Sequence, residues 1–268
     1  MAKYKKKRAR ELQHDRFRDT TMSFFDRLGD LLEGRGRTIL YGLAGLIVAA
    51  LVIFQIVRWT NKKSDEARQA LGRAITISRT QVTTTPPPGS TEPTFATDKE
   101  RAQRAIEEFE KVAAKYGDPY RSESRYFIAS NRLTVDRQKG ISELTELQNS
   151  SVEEVAALSK FALAQAYESD GKLDDATRHY TELAKLNSTA VTPDTANLRL
   201  AKVYEKQGKK KEAADLLFNI VDASRKAKGT DNQPLPQSSA AREATDALQK
   251  LDPERYGQLT PETPTLAG

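Results

Sequence analysis

From Thr38 to Val57 the chain runs for twenty residues without a charged side chain, and twelve of them are Leu, Ile, Val or Phe. A helix of that length covers about 30 Å, the thickness of a bilayer's hydrocarbon core. On an insertion scale the twelve contribute roughly −4 to −7 kcal/mol, with only modest opposing costs from Thr38, Gly42, Gly45 and Gln55. Tyr41 and Trp59 lie near the two ends, where amphipathic rings favour the headgroup region. The stretch predicts a membrane-spanning helix, Thr38–Val57, with the lipid bilayer as its partner. A cleaved leader is not expected, because 37 residues precede the stretch and Gln55–Lys63 offers no small-residue cleavage site. The Gly45-x-x-x-Ala49 spacing suits a contact with another membrane helix.

Charge gives the expected orientation. Residues 1–37 hold eleven Lys or Arg against six Asp or Glu, whereas residues 58–268 hold 32 against 31. Close to the bilayer the two sides are nearly balanced, but Lys3, Lys5, Lys6, Lys7, Arg8 and Arg10 tip the rule that basic residues stay cytoplasmic. The N-terminus is therefore expected inside the cell and residues 58–268 outside the cytoplasm. Residues 1–10 read as a basic arm. In Glu11–Glu33 the residues Phe24, Phe25, Leu28, Leu31 and Leu32 share one helical face, which predicts an amphipathic helix, either lying on the cytoplasmic leaflet or packed on a partner. Topology accounts for the basic residues, so nucleic acid is not expected as a partner.

Beyond the membrane the pattern is helical throughout, and the fold class expected is all-α. Ser64–Ser78 places Ala67, Ala70, Leu71, Ala74 and Ile75 on one face. Val82–Asp98, with four prolines and many threonines, cannot hold a helix and reads as an exposed loop. Helices are expected at 99–116 and then at about 122–135, 141–149, 152–169, 173–186, 194–207, 210–227 and 239–250. Residues 257–268, with Pro261 and Pro264, read as a disordered tail, so 58–256 is the expected helical domain.

An internal repeat organises that domain. Leu163–Ala176 (LAQAYESDGKLDDA) and Leu200–Ala213 (LAKVYEKQGKKKEA) are identical at seven of fourteen positions, 37 residues apart. The shared residues suit a pair of antiparallel helices. Leu163/Leu200 and Tyr167/Tyr204 fall on the inner face of the first helix. Ala164/Ala201 and Ala176/Ala213 are small where the two helices cross. Gly171/Gly208 can adopt the left-handed conformation that ends the first helix. This block resembles the tetratricopeptide repeat, an antiparallel helix pair that stacks into a solenoid. Two further, degenerate repeats are expected: one from Leu71-Gly72 and Ile75 with Ala105, Phe109 and Val112, the other from Tyr126, Ile128 and Ala129, which lacks the glycine. Lys160 and Asn197 replace the usual tryptophan, and Ser188 replaces the usual late proline.

Over residues of about 11–250, the basic tail, single anchor and degenerate repeats resemble the bacterial family of ancillary SecYEG translocon subunits. That family shares its repeat domain with the cell-division coordinator that accompanies TolA. The resemblance implies a periplasmic domain that assists exported polypeptides next to the Sec translocon in the inner membrane. The alternative is a structural scaffold for envelope organisation, division or polymer export, holding one fixed partner. Weak homo-oligomerisation is a further expectation.

No catalytic pattern stands out. There is no cysteine, and the two histidines, His14 and His179, are far apart. Glu107-Glu108, Glu153-Glu154 and Asp174-Asp175 read as solvated helix faces. Neither a cofactor nor an enzymatic activity is expected. In stacked repeats the first helix of each pair lines the concave face, so Phe161, Gln165 and Glu168 are expected beside Leu198, Lys202 and Glu205 in a peptide-binding groove.

Overall fold

The structure, a computed structural model, describes residues 36–83, 94–186, 188–230 and 232–261. The basic arm, the expected amphipathic helix at 11–33 and residues 262–268 lie outside the described residues. The chain divides into two units, Met1–Asp65 and Glu66–Gly268. One helix, α1 (Gly36–Arg79), runs through the division. The sequence reading placed separate helices at Thr38–Val57 and Ser64–Ser78. They are one helix because Arg58–Lys63 contains neither Gly nor Pro to break it. The Thr60 hydroxyl, which could have capped a new start, instead donates back to the Ile56 and Val57 carbonyls at 3.0 and 2.9 Å.

In the first unit, Leu43, Leu46, Ile47, Leu51, Val52, Ile53 and Phe54 are all more than half exposed. Among the described residues none packs over them. The helix is long and apolar enough to cross a membrane.

The second unit is built of antiparallel helix pairs, with no strand among the described residues beyond two isolated bridges. The first pair joins the last turns of α1 to α2 (Asp98–Lys115). Leu71 and Ala74 pack on Ala105, Ile106, Phe109 and Val112. The ends of the intervening loop are pinned: Thr83 N–H donates to the Phe95 carbonyl at 2.9 Å, and Phe95 is buried. Thr97 then caps α2 by accepting from Glu100 N–H, while the Glu100 carboxylate accepts from Ala96 N–H, a reciprocal start signal.

The second pair is α3 (Tyr120–Val135) and α4 (Arg137–Leu147), joined through Asp136 alone. Its carboxylate caps α4 by accepting from Lys139 N–H at 3.1 Å. The third pair is α5 (Glu153–Ser169) and α6 (Leu173–Lys185), and the fourth is α7 (Pro193–Lys206) and α8 (Lys210–Lys226). In both, the turn glycine is left-handed, with φ of +72° at Gly171 and +77° at Gly208. Lys172 and Lys209 N–H reach back to the Tyr167 and Tyr204 carbonyls at 2.9 Å, and the glycine N–H groups to Glu168 and Glu205, completing a Schellman motif in each. Ala164, Ala176, Ala201 and Ala213 are fully buried where the paired helices cross. Ser188, in place of the proline, is buried and accepts from Ala190 N–H at 3.2 Å.

Helix α9 (Ser239–Leu251) covers the fourth pair with Ala240, Ala241, Ala244 and Leu248, and the single turn α10 (Pro253–Tyr256) follows. Residues 257–261, expected in the tail, are instead part of the fold. Leu259 is buried in the same core, and the Arg225 guanidinium donates to the Thr260 carbonyl at 2.6 Å. A terminal apolar face needs a lid, and this segment supplies part of it.

Candidate functional site

The first helices of the pairs carry the residues singled out for a groove, and the structure separates them into different environments. Phe161, on α5, is half-buried and sets its ring edge-on to Tyr180 of α6, 5.9 Å between centroids. Gln165 is exposed. Glu168 is held from two sides: it accepts from the Tyr180 hydroxyl at 3.1 Å and pairs with Lys206 of α7. Burial and the Glu168 charge push the Tyr180 phenol above its ordinary range, so it remains a proton donor. This contact ties the third pair to the fourth.

Leu198 corrects the expectation. It is only 3 % exposed and packs with Ala201, Leu217, Ala240 and Ala244, because the terminal helix lies over this part of α7. Lys202 and Glu205 instead open towards α9. They line a cleft of about 480 Å³ with Glu243, Asp246, Ala247, Lys250 and Leu251. Lys202 pairs with Glu243 and holds its carboxyl below the usual range. Glu205 is exposed, and the cleft as a whole is a charged trough over a small apolar floor. The six residues therefore do not form one continuous groove. Three lie on α5, two on the α7–α9 cleft and one in the core.

A second cleft, of about 310 Å³, lies among α2, α3 and α4, and no motif in the sequence announced it. Its centre is Arg132, which pairs with Glu143 of α4 and, at 3.3 Å, with Glu110 of α2. Counting from Ile128-Ala129, Arg132 occupies the place that Tyr167 and Tyr204 hold after Leu163-Ala164 and Leu200-Ala201. The signal was present as an arginine at the tyrosine position of a degenerate repeat. The neighbouring Glu123 has its carboxyl pushed up, first by burial and then by the like charge of Glu154.

His179 is a packing residue. Its ring is buried and stacks on Tyr167, 5.5 Å apart at 9°, and burial lowers its pKa. Among the described residues no group of His, Asp or Glu is arranged to hold a metal ion. What the surface can do is make hydrogen bonds and ion pairs. Outside the first unit, Leu186 and Leu235 are the large apolar side chains left exposed among the described residues.

No protein-family model matches the chain, and no curated protein matches it. Among solved structures it is similar to one from Podosopora anserina, described as a kinesin light chain with nearly identical TPR-like repeats. The identity is 18 %, the match covers 72 % of this chain and 88 % of that one, and the TM-score is 0.48. The assignment as a tetratricopeptide-type helical array rests on this chain's own features: the helix pairs, the buried alanines and the left-handed glycines.

Proposed function

We propose that this chain is a single-pass membrane protein whose repeat domain binds a protein partner held at the same membrane. One observation carries the reading: an uncharged helical stretch with its apolar side chains exposed is joined in one chain to a stack of tetratricopeptide-type pairs. The stretch confines the domain to a surface, and the stack presents side chains of successive helices as a recognition face. Confinement also raises the local concentration of any membrane partner, strengthening weak contacts by about 10²–10⁴-fold. On the resemblance to ancillary SecYEG translocon subunits, the domain lies outside the cytoplasm, and its partners are the translocon and polypeptides emerging from it.

A specific observation favours the second reading, a scaffold with one fixed partner. A surface that holds many unfolded chains needs broad exposed apolar area. Here the α7–α9 cleft is lined by Lys202, Glu205, Glu243, Asp246 and Lys250. Charges at fixed positions select a partner of complementary charge rather than unfolded sequence in general.

The test is photo-crosslinking in intact cells from Gln165 and from Glu205, with a reporter of compartment fused at Gly268. A spread of exported polypeptides together with translocon subunits supports the first reading. A single stoichiometric adduct independent of secretion supports the second. A reporter active only in the cytoplasm overturns the compartment.

A further inference from the structure

The end of the apolar stretch carries a feature the interaction reading leaves unused. No acidic residue occurs between Glu33 and Asp65, yet Arg58, Lys62 and Lys63 fall within six residues of one another after the last apolar turn. On α1, Arg58 and Lys62 lie one turn apart, as do Trp59 and Lys63, so the four side chains occupy one side of the helix. The Lys63 ammonium sits over the Trp59 ring, 3.7 Å from its centroid. Arg58, Lys62 and Lys63 are exposed, and none has a carboxylate partner among the described residues. The arginines and lysines of the repeat domain that sit between helices are treated differently. Arg132, Lys202 and Lys206 are each tied to a carboxylate on another helix, and Arg137 to Asp170, which caps the end of α5.

We propose that Arg58, Lys62 and Lys63, with Trp59 among them, form a binding site for the headgroups of anionic phospholipids at the C-terminal end of the membrane-spanning stretch. The inference rests on the spanning reading of α1. An indole favours the headgroup level of a bilayer, which puts the ring and the cations within about one turn of it at the depth of the lipid phosphates. Three unpaired cations on one helix side then meet ligands that are fixed in the membrane plane and carry the opposite charge. The arginine can take a phosphate through two parallel N–H donors, while the lysines act as point charges on flexible stems. Trp59 shields the apolar stems beneath, and its ring holds the Lys63 ammonium at the site before lipid arrives.

Trp59 is the chain's single tryptophan, so its fluorescence reports on this site directly. The full chain is reconstituted in phosphatidylcholine vesicles containing an equal minor fraction of brominated phosphatidylglycerol or brominated phosphatidylcholine. Contact quenching by the anionic lipid should be at least about twofold stronger. The preference should vanish in the triple variant Arg58→Gln, Lys62→Gln, Lys63→Gln and persist when the same positions exchange Arg for Lys and Lys for Arg. Added inorganic phosphate at matched ionic strength should leave it unchanged; loss of the preference would make free phosphate the ligand and overturn the lipid assignment. Equal quenching by both lipids, or a preference that survives the glutamine variant, overturns the site while leaving the anchor intact. No quenching by either lipid overturns the spanning reading and the site with it.

Discussion

The second helix pair and the third and fourth pairs solve one packing problem with glycine in different places. In α5–α6 and α7–α8 the glycine is at the turn, and alanine is at the crossing. In α3–α4 the turn is Asp136, and the glycine, Gly140, is at the crossing. The register is the same in all three: Ala176, Ala213 and Gly140 are each the fourth residue of the second helix. A side chain at Gly140 would place its Cβ 2.7 Å from Leu133 N and 3.0 Å from the Ala129 carbonyl oxygen. The shorter turn draws the helices together until even a methyl group does not fit. The missing turn glycine of this repeat is thus no loss of the motif. It is the same motif drawn tighter, with Arg132 in place of the tyrosine that packs beside the longer turns.

The comparison can be broken most decisively at the crossing. Gly140→Leu should cost about 3 kcal/mol or more, because backbone rather than a flexible side chain blocks the new atoms. Urea unfolding of the full chain in detergent measures this, and tolerance of leucine would mean that the pair is not closely crossed. Ala176→Leu and Ala213→Leu should each cost about 1–3 kcal/mol, less than Gly140→Leu since alanine already holds those helices further apart. A neutral result at either, with sensitivity at Asp174 or Lys210 instead, would show the repeat register to be wrong.

Gly208→Ala should cost about 1 kcal/mol, because a Cβ is strained at a φ of +77° even though the space around it is open. Asp136→Ala, which removes a side-chain cap rather than a left-handed residue, should cost about as much. Equal sensitivity of all three turns to alanine at their closing residue would sharpen the comparison; indifference at Gly208 would break it.

The smallest effect is a matter of pH. His179 is neutral in the fold, with Arg178, Lys160, Glu182 and Asp175 as the charged groups around it, and its pKa is lowered chiefly by burial. The unfolded chain therefore binds the proton more tightly, and stability is lost as pH falls below about 6.5 towards the folded value. Thermal melts should show a steeper fall between neutral and mildly acidic pH for the native chain than for His179→Phe. Parallel curves would mean that the histidine is solvated in the fold.

Much of this architecture was legible in the residues. Gly171 and Gly208 marked left-handed turns, because few other residues take that conformation readily. The alanines marked crossings, and the helix spans at 153–169, 173–185 and 210–226 fall within one or two residues of their expected bounds. The candidate groove was less legible. Phe161 and Leu198 occupy equivalent repeat positions, yet only Leu198 is sealed in a core. Its burial depends on α9, some forty residues later in the chain. Local spacing carries no information about which pair is last in the stack.

The sequence by itself determined the two most local facts about this protein. Twenty uncharged residues suit an apolar solvent whatever surrounds them, and a repeated glycine–alanine spacing makes a helix pair whatever lies beside it. The tertiary structure alone decided which faces remained open. It carried α1 unbroken from the apolar stretch into the first pair and buried Leu259 as part of the terminal lid. It placed Arg132 between two carboxylates and divided six groove residues among a helix face, a cleft and a core. Exposure is set by what packs on top of a residue, and that neighbour comes from elsewhere in the chain.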